Sequence, residues 1–369
     1  MNVHRWRLLA AVAATLLIAT GCSGSGAESP PAQSGGGDAK VKIALSNSFI
    51  GNQWRVEMEN VFKAACAMPP YADEVECTVF NAGNDVSTQS RQISNLISQG
   101  VDGIVINAAS TSGLNGVVQQ ACDRGITIVS FDNTVDNACG LTVNTDQVKF
   151  GEQLAQFIVD KLDGKGNVVM VTGVAGTGAD NDRNKGAKAV FAANPGIKVV
   201  ATYSGMWDSA TAQRVTSAQL PSLPKVDGVW VSGGTDGVIK AFGAANRPMP
   251  VFGGEAENGF RKYLAGILTP KVTGMSIGQP PFLSVISLEL ARAVIKGEHP
   301  KESVTIPFPV VTSDDELKPG ETVFPDLPDS FFADFTDSGP EATVILCQEA
   351  ATDGTPCPGK TLDVNLGKP

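Results

Sequence analysis

Residues 41–45 are mostly apolar, and the stretch after them carries apolar side chains at helical spacing through residue 65. The alternation then repeats. Residues 75–80, 101–106 and 126–131 read as buried strands, and 86–97 and 114–122 as the helices between them. Nearly continuous apolar strands separated by amphipathic helices predict βαβ units and a parallel sheet covered on both faces.

After a short run at 141–143 the pattern restarts. Phe150, Leu154, Phe157, Ile158 and Leu162 share one helix face, and residues 167–172, 197–203, 226–231, 250–252 and 272–277 follow as strands. Phe282, Ile286, Leu290 and Val294 mark one more helix. Two successive α/β runs predict two doubly wound lobes of parallel sheet. A length of 369 residues agrees with two domains. Beyond Thr312 periodicity fades into Pro, Asp and Gly, which predicts an irregular tail laid over the second lobe.

The first residues are of another kind. Arg5 and Arg7 precede a run of twelve residues, Leu8 to Ala19, apolar but for Thr15 and closed by Thr20, Gly21 and Cys22. This is the layout of a secretory signal over residues 1–21, too short to span a bilayer as a helix of roughly 20 residues. The Ala-Thr-Gly-Cys ending resembles a bacterial lipoprotein signal, with Ala19 where Leu is usual, and implies lipid on Cys22. Cleavage elsewhere, as in an ordinary secreted protein, is the alternative. Residues 22–40 are rich in Gly, Ser, Pro and Ala and read as a flexible tether. Cys66, Cys77, Cys122, Cys139, Cys347 and Cys357 remain, an even number outside the cytoplasm. Six cysteines allow fifteen pairings, which sequence does not separate. Bridges between chain neighbours are expected. Zinc is the competing reading, and close C-x-x-C pairs or a His pair for it are missing.

Composition narrows the chemistry. The net charge of −10 argues against nucleic-acid binding, which needs a basic face. Of two histidines, His4 leaves with the signal and His299 sits in a polar turn, so a Ser-His-Asp triad or a His-rich metal site is not expected. The glycines at 173, 176 and 178 lie between a strand and a helix, but their spacing reverses the dinucleotide fingerprint and suits a tight turn better. Acids are plentiful, so carboxylate catalysis of glycoside cleavage stays open on the residues alone.

Open α/β sheets bind ligands beyond the carboxyl ends of their strands. Those positions hold Asn47, Phe49, Asn52, Gln53, Trp54 and Arg55, then Asp132 and Asn133, Arg183, Trp207, Thr235 with Asp236, Glu255 and Gln279. Carboxylates and amides bind hydroxyl pairs, and indole faces cover C–H surface, so this set suits a polyhydroxylated ligand. Asp236 also reads as a helix cap, and Trp230 as core.

The motifs Gly100-Val-Asp-Gly-Ile-Val-Ile-Asn107, Phe131-Asp132, Val143-Asn-Thr-Asp146, Gly176-Thr-Gly-Ala-Asp-Asn-Asp-Arg183 and Ile277-Gly-Gln279, in this order, resemble the periplasmic sugar-binding proteins of the ribose-binding type. These are substrate-binding subunits of ABC importers, and the resemblance covers residues 41–310. It implies no catalysis, cofactor or metal, and a monomer that closes two lobes on a sugar or sugar alcohol and delivers it to a permease. It places crossovers of a three-stranded hinge near Asn144, Gln279 and Pro307. The lobes would then be 41–143 with 280–306, and 144–279 with 307–369. It assigns hydroxyl binding to Asp132, Arg183 and Gln279 and stacking to Trp54 and Trp207. Trp54-Arg55 is similar to the pair of galactofuranose-binding relatives and adds Arg55 as a donor. Asn133, Thr235 and Glu255 replace the Arg, Asn and Asp of ribose binders, which points away from ribose. With the lipoprotein signal, the expected location is the outer side of the bacterial cell membrane. The alternatives are another small-molecule binder, such as one for an autoinducer, feeding a chemoreceptor or sensor kinase, and an extracytoplasmic glycoside hydrolase.

Overall fold

A computed structural model describes residues 39–334, 343–344 and 346–366. The signal, the tether up to residue 38 and Cys22 lie outside these residues. The first run of alternating pattern folds as β1 (Val41–Asn47), α1 (Gln53–Cys66), the short α2 (Tyr71–Glu74), β2 (Val75–Asn81), α3 (Val86–Gln99), β3 (Gly103–Asn107), α4 (Asn115–Asp123), β4 (Thr127–Phe131) and β5 (Leu141–Asn144). Polar residues start these helices where the pattern turns. Asn52 and Asp85 accept the amides of Arg55 and Thr88, satisfying N–H groups that a helix leaves open. Gly100 ends α3 at φ 68°, a left-handed position that costs glycine little.

The second run folds as α5 (Gln147–Lys161), β6 (Gly166–Thr172), α6 (Gly178–Ala193), β7 (Ile197–Ser204), α7 (Ser209–Gln219), β8 (Gly228–Val231), α8 (Thr235–Ala244), β9 (Val251–Glu255), α9 (Asn258–Ala265) and β10 (Gly274–Ile277). Then come α10 (Leu283–Ile295), β11 (Val304–Thr305), β12 (Val310–Thr312), β13 (Thr343–Val344), α11 (Gln348–Thr352) and β14 (Val364–Asn365).

The strands form two six-stranded sheets of the same winding. The orders are β11-β5-β4-β3-β1-β2 and β12-β10-β9-β8-β6-β7. Every pairing in the first is parallel, and in the second only β12 runs antiparallel, against β10. Each sheet reverses its winding direction beside its first strand, which opens a crevice at the strands' carboxyl ends. Apolar layers cover both faces of each sheet. Ile93, Leu96 and Val118 lie under one face of the first and Met58, Phe62 and Ile286 under the other. In the second, Val238 and Phe252 lie opposite Phe150 and Trp230.

The chain passes between sheets after Asn144, again between Ile277 and Leu283, and again between Thr305 and Val310. The tail departs from expectation. It starts over the second lobe, but Val344, Leu346, Ala350, Ala351, Cys357 and Leu362 bury in the first lobe's core with Met58, Phe62 and Met68. Asn60 of α1 donates to the carbonyls of Ala351 and Thr352, and Leu362 donates its amide to Pro69. The physical reason is unfilled apolar surface on α1, which isolated apolar residues of an aperiodic segment cover. Disulfides join Cys66 to Cys77, Cys122 to Cys139 and Cys347 to Cys357, the pairing of chain neighbours.

Candidate functional site

The carboxyl ends of both sheets face one narrow cleft, lined by Asn52, Trp54, Arg55, Asp132, Arg183, Trp207, Glu255, Gln279 and Phe332. In the first lobe, the turn after β1 and the start of α1 bring Arg55 inside, where it is 1% exposed. Its Nη1 donates to Asn47 Oδ1 at 2.7 Å and Ser48 Oγ at 3.2 Å, and its Nη2 to Asp132 Oδ2 at 3.4 Å. The Phe49 ring lies 5.0 Å from the guanidinium carbon. Burial holds Arg55 below its ordinary pKa, and Asp132 and Glu59 offset part of that shift.

Asp132 follows the last residue of β4 in a left-handed conformation, φ 54°. Few non-glycine residues adopt it, and here it turns the carboxylate inward. Besides Arg55, Asp132 Oδ2 accepts from Asn107 at 3.1 Å and from Asn133 at 2.8 Å. A buried anion is tolerated only when paired and hydrogen-bonded, and all three donors come from the first lobe.

The second lobe builds a matching half. Arg183 projects from the second turn of α6 and is 2% exposed. Its Nε donates to Gln147 at 2.7 Å, and Nη1 to the Ser232 carbonyl and Glu255 Oε1, both at 3.0 Å. Its guanidinium lies 3.9 Å over the Phe150 ring. This depends on the close crossing of α5 and α6, since a Cβ on Gly151 would stand 2.0 Å from the Arg183 carbonyl oxygen.

Trp207 takes φ 56° and donates through Nε1 to Ser232 Oγ at 2.9 Å. A Cβ on Gly173 would stand 2.1 Å from the indole, so the glycine turn makes room for this ring. Asp180 accepts the Gly173 amide at 2.6 Å and ties the turn to α6.

Gln279, on the connection out of β10, joins the halves. Its Nε2 reaches Asp132 Oδ1 at 3.3 Å, its Oε1 accepts from Thr145 at 2.6 Å, and its carbonyl accepts from Trp54 Nε1 at 2.6 Å. A direct contact also closes the cleft's side, where the Ala179 amide of the second lobe donates to Asn133 Oδ1 at 3.1 Å.

Eight of the residues selected from strand ends line the cleft. Asn47, Phe49 and Asn133 stand behind the lining and hold Arg55 and Asp132. Thr235 is fully buried against Gly254, and its hydroxyl has no partner among the described residues. Asp236 accepts from Ser209 and pairs with Lys240 at 2.8 Å, a structural role in the first turn of α8. Gln53 does not line the cleft. Trp230 is core. Phe332 also lines the cleft and comes from the aperiodic tail, where no strand end or hydrophobic period points to it.

Burial is the main influence on the acids. It pushes Glu255 up to about 7, with Asp132 adding to the rise and Arg183 opposing it. It pushes Glu257 up to about 8, reinforced by Glu255 and Asp236. Among the described residues, no His, Cys, Asp or Glu cluster is arranged to hold a metal ion, and no helix is long and apolar enough to cross a membrane.

Two like-wound lobes with an aromatic-walled polar cleft between them define a bilobal solute receptor. The chain belongs to the periplasmic binding protein family, whose domain model matches residues 43–299. That family consists of substrate-binding proteins that work outside the cytoplasm. The chain is similar to the xylitol-binding protein of Mycolicibacterium smegmatis, 29% identical over 83% of this chain and 86% of that one. It is similar to the ribose import binding protein of Bacillus subtilis, 25% identical over 81% and 96%. Among solved structures it resembles an ABC transporter solute-binding protein from Thermobispora bispora, with TM-score 0.70 and 33% identity over 78% of this chain and 90% of that one.

Proposed function

We propose that this protein captures a neutral sugar or sugar alcohol between its lobes and hands it to the permease of an ABC importer. One observation carries the reading. The cleft combines two indoles with two arginine–carboxylate pairs, and each pair lies within one lobe. Above pH about 7, where Glu255 is ionised, the cleft has no net charge for an ionic ligand to offset. Its carboxylates, guanidinium groups and amides offer donors and acceptors to hydroxyls. The family and the names of the relatives, which include xylitol and ribose binders, support the same class.

In this reading Asp132, Arg55, Arg183, Glu255, Gln279 and Asn52 bind hydroxyls, and Trp54 and Trp207 cover the ring or chain faces. Closure of the lobes assembles the two halves, and ligand favours the closed form by its differential affinity. A site built for hydroxyls rejects analogues that leave its buried groups unpaired. Glu255, which lines the cleft where the resemblance places Asp in ribose binders, favours a ligand other than ribose. The protein works as a monomer without turnover. Lipid on Cys22 holds it at the membrane, which mass spectrometry of the mature N-terminus tests.

The deciding experiment is calorimetric titration of the mature protein with D-ribose, D-allose, L-arabinose, D-galactose, D-fucose, xylitol and myo-inositol, beside amino acids as controls. Stoichiometric binding of one sugar or polyol is the expected result. Binding of an amino acid alone, or turnover of a glycoside, overturns the reading.

A further inference from the structure

The segment 322–334 behaves as a strap across the cleft, and the family's domain model ends before it, at residue 299. The second lobe holds it firmly. Asn258 of α9 accepts the Phe324 amide at 2.9 Å and donates to the carbonyls of Phe324, Leu327 and Pro328. Lys262 donates to the Leu327 carbonyl at 2.7 Å, and Arg261 pairs with Asp334 at 2.7 Å. The Asn258 amide donates to Phe331 O at 2.7 Å, and the Ala333 amide to Ala256 O at 3.0 Å. Between these two anchors, Phe332 reaches the first lobe. Its amide donates to Glu57 Oε1 of α1 at 2.9 Å, and the residue lines the cleft while its side chain, 5% exposed, packs with the first lobe's core.

We propose that Phe332 is a specificity-determining wall of the cleft, that Glu57 positions it, and that the ligand presents an apolar edge, C–H or methyl, to this side. The inference rests on the sugar reading above. A phenyl ring has no polar handle, so a hydroxyl aimed at it loses its water partners and gains none. The indoles of Trp54 and Trp207 spend their N–H groups on Gln279 O and Ser232 Oγ, so they too offer only apolar faces. The polar lining comes from strand ends of the two lobes, and the strap contributes only a hydrocarbon surface. Discrimination between a hydroxylated sugar and its deoxy partner therefore falls to this wall.

Glu57 is fully buried and makes its contact with Oε1, while Oε2 has no partner among the described residues. Burial raises its pKa well above the carboxylate range, with the Phe332 amide opposing the rise. What holds the strap is a carboxyl oxygen accepting a backbone amide, which a glutamine carbonyl reproduces.

The test is calorimetry with D-galactose and D-fucose, its 6-deoxy partner, and with whichever sugar or polyol binds the wild type most tightly beside its terminal deoxy analogue. The wild type is compared with Phe332→Ala, Phe332→Tyr, Glu57→Gln and Glu57→Leu, with a thermal melt of each. Phe332→Ala is expected to weaken the tighter member of a pair about tenfold and to narrow the deoxy-to-hydroxy ratio. Phe332→Tyr, which folds without a cavity, is expected to shift the ratio toward the hydroxylated sugar. Glu57→Gln should keep the wild-type ratio, and Glu57→Leu should move it as Phe332→Ala does. If the Phe332 variants keep the wild-type ratio, the wall is overturned while the sugar reading stands. If Glu57→Leu keeps it, the positioning role is overturned. If no sugar or polyol binds the wild type, the sugar reading falls and this inference with it.

Discussion

Arg183 and Glu255 meet at 3.0 Å inside the second lobe, both nearly sealed from water. The pair forms because α6 and the end of β9 converge on one point of the cleft. It has the energetics of a buried ion pair. Desolvation outweighs the attraction and raises the Glu255 pKa, and removing the carboxyl takes one of three acceptors from the Arg183 guanidinium.

The first prediction concerns pH. Glu255 and Glu257 have pKa values of about 7 and about 8 in the folded protein, above the ordinary 4.5. A carboxyl that holds its proton more tightly when folded stabilises the fold at low pH, and this contribution is lost as pH rises from the unfolded value to the folded one. Thermal unfolding of the ligand-free protein should therefore show Tm falling between about pH 5 and about pH 8. Glu255→Gln and Glu257→Gln should each flatten the slope. A Tm that rises across this window contradicts the assignment.

The second prediction concerns Asp132. Its carboxylate holds Arg55, Asn107 and Asn133, so Asp132→Ala should cost stability as well as binding. Asp132→Asn keeps the shape and tolerates the left-handed backbone. It should weaken sugar binding by roughly 10- to 100-fold, the loss of a hydrogen bond to a charged group. Calorimetry and a melting curve separate the two effects.

The third prediction uses fluorescence. Trp54 and Trp207 line the cleft, whereas Trp230 is fully buried in the core. Ligand should change the intrinsic emission. In the Trp54→Phe, Trp207→Phe double variant, which keeps Trp230, the change should vanish even at sugar concentrations that saturate calorimetry.

The fourth prediction concerns the disulfides. The Cys66–Cys77, Cys122–Cys139 and Cys347–Cys357 bridges close loops with sequence separations of 11, 17 and 10. Replacing both cysteines of one bridge by serine should cost about 3 kcal/mol, read by urea unfolding. The Cys122–Cys139 bridge closes the loop that contains Asp132 and Asn133, so its loss should also weaken sugar binding. Loss of the other two bridges should affect stability alone.

The two α/β lobes were legible because buried parallel strands leave continuous apolar runs that turns and capped helices interrupt. The cleft was legible because a parallel sheet puts its strand ends on one side, and Asp132, Arg183 and Glu255 lie at or after strand ends in the sequence. That rule locates backbone positions, not side-chain direction. It therefore also took in Thr235, which packs on Gly254, and Asn47 and Asn133, which serve their neighbours. Phe332 follows no strand of either sheet, and nothing periodic marks its segment. The same holds for Val344, Leu346 and Leu362, single apolar residues among polar ones, whose place on the first lobe depends on a surface far away in sequence.

Arg55 pairs with Asp132 within the first lobe, and Arg183 with Glu255 within the second. Once Glu255 has released its proton, above pH about 7, each half of the cleft is thus electrically balanced before the lobes meet. Bringing them together neither unites opposite charges nor collects like ones beyond the approach of Asp132 to Glu255. Dissolved salt, which screens attraction between separated charges, then has little to act on during closure. A receptor built this way should hold its cargo with nearly the same strength in dilute and in saline surroundings.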